Sequence, residues 1–169
     1  SIQKINNNIK IILPNSPVIN IDWPVGKENN VNSWYNYYTR NDGLLQHDTI
    51  NIDHYNEQCE RISKIITSES KIVGYNNILV IGESQGGTIV AGLSIKIKPL
   101  LAGFVLIDSV FMDNILTVNT RHKNIYIYSS ENDEVYTIEL QKQSIKKLYL
   151  NRYIVDWYID KGVKHCEIT

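Results

Sequence analysis

Apolar residues in this chain come in short runs that stop at glycine, proline or polar clusters, with one amphipathic stretch between the first run and the rest. Lys10-Ile-Ile-Leu13 before Pro14 reads as a short buried strand, because proline ends the pairing ladder. From Asn15 to about Thr49 there is little period. Pro17, Pro24, Gly26, Gly43, many asparagines and the aromatics Trp23, Trp34, Tyr35, Tyr37 and Tyr38 predict a long connection lying over a sheet edge. Tyr55, Cys59, Ile62, Ile65 and Ile66 fall at helical spacing and predict an amphipathic helix from about Asp53 to Ser68. Cys59 then faces the core as a small hydrophobe. Ile78–Ile81 is a buried strand that runs, through a glycine-rich turn, into the helix-compatible Thr88–Leu93. Gly103–Ile107 and Asn124–Tyr128 are further strands, Ile138, Ile145 and Leu148 mark a helix over Thr137–Leu148, and Arg152–Trp157 is the last strand. Strands alternating with helices imply βαβ units, hence an α/β fold with a mainly parallel sheet and helices on both faces.

Composition narrows the function. The 169 residues fit a single domain, 1–169, able to bury a sizeable core without a staple. With 17 basic and 18 acidic residues interspersed and a net charge of −1, nothing favours nucleic acid or an anionic membrane. The apolar runs fall far short of the roughly 20 residues that span a bilayer. Cys59 and Cys166 lack zinc or disulfide-scaffold spacing, so a reducing, cytoplasmic setting is expected. Ser1 is not an initiator methionine, which leaves room for a missing amino-terminal piece.

The chemistry concentrates at Gly82-Glu83-Ser84-Gln85-Gly86-Gly87. A strand that stops at a glycine, a serine two residues on and a helix starting at once form a nucleophile elbow, with Gly82 and Gly86 keeping strand and helix apart. Ser84 Oγ is then exposed at the carboxyl edge of the sheet, where helix-end N–H groups, that of Gln85 first, can meet an oxyanion. A glycine-rich bend without chemistry is the plain alternative. Serine needs a base and a carboxylate to orient that base. His165 follows the last strand by a short loop containing Gly162 and can reach that edge. His122 precedes its strand, while His47 and His54 read as a solvated loop and a helix start. For the acid, Asp133 and Asp108 both follow strands; Asp133 suits the chain order Ser, Asp, His. Glu83 reads as exposed-turn chemistry and Cys166 as packing. Trp23 and Trp34 serve equally as loop packing or groove lining.

These residues resemble the acyl-protein thioesterase and carboxylesterase/phospholipase branch of the α/β-hydrolases. Leu13-Pro14-Asn15-Ser16-Pro17-Val18 is similar to that family's L-P-x-A-P-V, Ser33-Trp34-Tyr35 to its S-W-[FY], and the elbow to its G-F-S-Q-G-G with Glu83 in place of an aromatic. Leu101-Ala102-Gly103-Phe104-Val105 is similar to L-A-G-[IV]-V, Asp133-Glu134-Val135 to the D-x-V acid motif, and Gly162-Val163-Lys164-His165 to the histidine loop. The resemblance implies an α/β-hydrolase fold and hydrolysis of carboxyl esters or acyl thioesters, with a small-molecule ester, lysolipid or acylated protein as substrate and neither metal nor cofactor. It also favours Asp133 over Asp108, and Trp34 and Tyr35 become candidates for a substrate groove.

One family feature has no counterpart here, a strand and H-G-x-G type loop that complete the oxyanion hole. Either amino-terminal strands are missing, or the first strand pairs directly with the elbow strand. A catalytically degenerate domain that binds an acyl ligand or a protein partner is therefore the second hypothesis. Acyl length, leaving group and oligomeric state have no sequence signal.

Overall fold

The computed structural model describes residues 8–22, 27–36, 50–112 and 124–167. Trp23, Tyr37, Tyr38, His47 and His122 lie outside them. Two strands, β1 (Val18–Ile21) and β2 (Glu28–Asn32), pair antiparallel as a small sheet of their own. Helix α1 (Ile52–Val73) follows, then a 3-10 turn at Tyr75–Asn77 and the strand β3 (Leu79–Glu83). The rest is α2 (Ser84–Lys96), β4 (Gly103–Ile107), β5 (Ile125–Ser130), α3 (Ile138–Leu150) and β6 (Val155–Asp160). The main sheet has the order β3-β4-β5-β6 with every neighbour parallel. Its carboxyl ends, at Glu83, Ile107, Ser130 and Asp160, therefore share one edge.

Local chemistry sets these limits. Asn51 caps α1 by accepting from the backbone N–H groups of Asp53 and His54, which satisfies two orphan donors of the first turn. The helix runs five residues beyond the expected Ser68, because polar Glu69, Ser70 and Lys71 suit an exposed helix end and the true stop is Gly74, whose N–H bonds to Ser70 O. Thr137 caps α3. The last strand starts three residues later than expected. Arg152 has φ 64 and Tyr153 N donates to Leu148 O, so these residues close α3 before pairing begins at Val155.

Two expectations fail at the amino-terminal side. Lys10–Leu13 belongs to no strand and does not pair with β3; Ile11, Ile12 and Leu13 are exposed. Lys10 instead bonds Glu69 on α1 at 2.8 Å, and Arg61 donates to Asn15 O at 2.7 Å, so the segment is tied to a helix that offers no strand edge. Within Asn15–Thr49, the β1–β2 hairpin replaces part of the expected loop. Its strands are short and rich in asparagine, which leaves little alternation to read.

One core joins the layers: Cys59, Ile62 and Ile66 of α1, Ile89, Val90 and Leu93 of α2, Phe104, Leu106, Ile125 and Ile127 of the sheet, and Ile145 and Leu148 of α3. Each full burial of such a side chain contributes about 1.5–3 kcal/mol. α2 is buried over the whole stretch from Gly87 to Ser94, as befits a helix between α1 and the sheet. Cys59 is core, its thiol pushed up to about 11 by burial. Of the two faces expected to carry helices, the described helices cover this one; Leu79, Ile81, Tyr126 and Tyr158, alternating with buried or half-buried strand positions, are exposed. No described helix is long and apolar enough to cross a membrane.

Candidate active site

β3 passes into α2 with no intervening residue, so the first helical residue, Ser84, must turn the chain. It does so at φ 51, a left-handed conformation uncommon for residues other than glycine. Asp108 (φ 44) and Cys166 (φ 58), both joined to the same site, share that conformation. The turn leaves no room at Gly82, where a Cβ would overlap the carbonyl of Gly86 and lie 2.6 Å from Val90 Cγ2. Gly87 is equally confined, 2.5 Å from Ser109 Cβ. Gly86 differs from its expected spacer role: a Cβ there would meet only Trp34 Nε1, at 3.4 Å, an ordinary contact. What the elbow needs from residue 86 is its carbonyl position; the side-chain space is needed at Gly82 and Gly87.

The sheet edge brings three of the sequence candidates into one line. His165 Nε2 lies 2.9 Å from Ser84 Oγ, and His165 Nδ1 lies 2.8 Å from Asp133 Oδ2. Asp133 is buried after β5, its Oδ1 accepting from the N–H groups of Val135 (2.7 Å) and Tyr136 (2.8 Å). Burial of the imidazole opposes its charge, but the hydrogen bond and charge of Asp133, helped by Asp108 and Glu134, outweigh it and hold the His165 pKa above the ordinary value.

Asp108, the rival acid, sits elsewhere. Its Oδ1 accepts from Ser130 N (2.6 Å), and its Oδ2 accepts from Ser130 Oγ and from Cys166 N (2.8 Å each). It thereby ties β4, β5 and the histidine loop together. Asp108, His165 and Cys166 offer ligand atoms within 4.8 Å of one another, the donor types a metal could use. Their carboxylate oxygens and ring nitrogens are, however, already engaged as described. Burial and the nearby Glu83 push the Cys166 thiol up to about 12, so it is a poor thiolate.

Gln85 follows Ser84 in the first turn of α2, where backbone N–H groups have no intrahelical acceptor. Its side chain has a second task. Oε1 accepts from Trp34 N (2.8 Å) and Nε2 donates to Tyr35 O (3.0 Å), clamping residues 33–35 against the elbow. Tyr35 is not a groove residue. It has no exposed surface, its hydroxyl pairs with Thr88 Oγ1 at 2.7 Å, and its ring meets Tyr55 edge-on, because the clamp turns it inward. Trp34 stays half-buried beside Gly86 with the Arg61 guanidinium 5.3 Å from its ring centre. His54 is in the first turn of α1, where its backbone N–H is capped by Asn51.

Sequence reasoning missed Gln141. This residue, fully buried on α3, donates from Nε2 to Asp133 Oδ2 (3.2 Å). A polar residue among Ile138, Ser144, Ile145 and Leu148 on the buried side of that helix was the available signal.

A parallel sheet with helices and a strand-to-helix serine turn at its carboxyl edge define an α/β-hydrolase-like fold. The chain belongs to the phospholipase/carboxylesterase family, which residues 1–165 match. Arabidopsis thaliana SOBER1 has a similar fold: TM-score 0.80, 15% identity, over 94% of this chain and 76% of that one. Zea mays acyl-protein thioesterase 2 superposes with TM-score 0.70 at 11% identity, covering 98% and 80% of the two chains. For the Bacillus cereus carboxylesterase the values are 0.62 and 19%, over 79% of this chain and 62% of that one. No curated protein sequence matches the chain significantly.

Proposed function

We propose that this chain is a serine hydrolase that cleaves carboxyl esters or acyl thioesters through an acyl-enzyme on Ser84. The observation that carries the proposal is the hydrogen-bonded line from Ser84 Oγ through His165 to Asp133, 2.9 and 2.8 Å long. Ser84 Oγ attacks the carbonyl carbon as His165 Nε2 takes its proton. The carbonyl oxygen becomes an oxyanion met by the N–H of Gln85. Asp133 holds the imidazolium in place, and the proton then passes to the leaving alcohol or thiol. Water, deprotonated by the same nitrogen, attacks the acyl-serine; the bond from the acyl carbon to Ser84 Oγ breaks, His165 returns the proton to Oγ, and the carboxylic acid leaves. Every step uses groups of this chain. The names of the structural neighbours, an acyl-protein thioesterase and a carboxylesterase, are in keeping with this bond class.

The test is intact-protein mass spectrometry before and after a fluorophosphonate probe. One adduct on the native chain, lost in Ser84→Ala with folding unchanged, is expected; an equal adduct in Ser84→Ala would overturn the assignment.

A second function has one observation behind it. β3 is an edge strand among the described residues, so the only identified oxyanion donor is Gln85 N–H. Loss of one such donor costs roughly 10²–10³ in rate. A domain that binds an acyl ligand or a protein partner without turnover is then the alternative, and binding of an acyl ligand with no Ser84 adduct selects it.

A further inference from the structure

Gln141 has no exposed surface, and a buried amide is costly unless its donors and acceptor are matched. Here they are matched in one direction only. Trp157 Nε1 donates to Ser129 Oγ at 2.9 Å, and Ser129 Oγ donates to Gln141 Oε1 at 2.6 Å. Gln141 Nε2 donates to Tyr136 O at 2.7 Å and to Asp133 Oδ2 at 3.2 Å. The indole N–H can only donate, so Ser129 accepts there and keeps its own hydrogen for Gln141. The amide oxygen accepts that hydrogen at 2.6 Å. At the other end a flipped amide would set its oxygen against two acceptors, Tyr136 O and Asp133 Oδ2.

We infer that Gln141 is a positioning residue for Asp133 and His165, with its amide polarity set by the acceptors Tyr136 O and Asp133 Oδ2 and supported at the oxygen by Ser129 and Trp157. This rests on the roles proposed above for Asp133 and His165. The consequence is a fixed tautomer. With Gln141 donating to Asp133 Oδ2, the carboxylate is held as an acceptor, and it takes the hydrogen of His165 Nδ1 on the same oxygen at 2.8 Å. Nε2 is left with its lone pair toward Ser84. A donor chain that begins on β6 and passes through β5 and α3 thus adds to the backbone N–H groups of Val135 and Tyr136 in orienting the base. A leucine at position 141 would leave Asp133 held by the backbone and His165 alone, and would take the acceptor of the buried Ser129 hydroxyl away.

The experiment uses the full chain, uniformly ¹⁵N-labelled, with Gln141→Leu and Trp157→Phe. Imidazole ¹⁵N shifts and the low-field Nδ1–H proton report the tautomer without turnover. Fluorophosphonate labelling, split into limiting rate and half-saturating concentration and followed against pH, reports the base. In Gln141→Leu the low-field proton is expected to exchange faster. The limiting rate should fall about tenfold at unchanged half-saturation, short of the roughly 10⁴ that follows from reversing the tautomer in such a triad. The acid limb should also move up, because a carboxylate without the amide donor favours the imidazolium more. Trp157→Phe, which keeps a ring, should move every readout the same way by a smaller factor, and it decides the matter if Gln141→Leu does not fold. A folded Gln141→Leu with native tautomer signals, rate and pH limb overturns the inference. Absence of any adduct on the native chain overturns the hydrolase assignment instead, and the imidazole signals still decide the relay.

Discussion

Asp108 Oδ2 accepts the backbone N–H of Cys166 at 2.8 Å, so the residue that follows β4 holds the residue that follows His165. The two are 58 positions apart in the chain, and both stand at positive φ. The contact explains how a loop of coil residues can keep an imidazole within hydrogen-bond reach of Ser84.

Asp108→Ala leaves Ser130 N–H, Ser130 O–H and Cys166 N–H without their acceptor. The expected cost is roughly 3 kcal/mol of stability, since buried donors stripped of a charged acceptor lose about 1–3 kcal/mol each. Fluorophosphonate labelling of Ser84 should slow as well, because the histidine loop loses its tie. Urea unfolding together with the labelling rate checks this; native stability would refute it.

Gly82→Ala and Gly86→Ala should separate sharply. The first forces a methyl onto the Gly86 carbonyl and Val90, and overpacking of this kind costs about 1–3 kcal/mol or more. The second meets only Trp34 Nε1 in ordinary contact and should be nearly neutral. Thermal unfolding of the two variants side by side is sufficient, and equal losses would show that the elbow packs otherwise.

His165 must be neutral to take the serine proton. Because Asp133 holds its pKa above the ordinary value of about 6.5, the reactive form is lost as pH falls through a value higher than that. Labelling rate against pH should therefore show its acid limb above 6.5. The linked stability has the opposite sense: the stabilisation from charged His165 beside Asp133 is full below the unfolded pKa and fades as pH rises through the folded one.

Tyr35→Phe and Trp34→Ala test the division between core and groove. Removing the Tyr35 hydroxyl, which pairs with Thr88 Oγ1, should cost about 1 kcal/mol and leave labelling unchanged. Trp34→Ala opens the space beside Gly86 and should raise the half-saturating probe concentration with a smaller effect on the limiting rate. A KM-type change in Tyr35→Phe would contradict the core placement.

By itself the sequence determined what depends on near neighbours. The elbow, the strands at Gly103 and Asn124 and the helices about Cys59 and Ile145 are all written in local patterns of apolar, glycine and polar residues. Tertiary structure decided what depends on a distant partner. Lys10–Leu13 is apolar enough for a strand yet found a helix instead of a sheet edge. Asp108 and Asp133 are both strand-end carboxylates; chain order and the D-x-V resemblance favour Asp133, and the path of the histidine loop sets one against backbone donors and the other against the ring. Tyr35 turned inward because the Gln85 side chain, 50 residues away, takes its carbonyl. Gln141 is a polar residue on a helix in the sequence, and Ser129, Trp157 and Asp133 meet at it only in the fold. Hydrogen bonds between residues far apart in the chain leave no periodicity, and the fold alone brings their ends together.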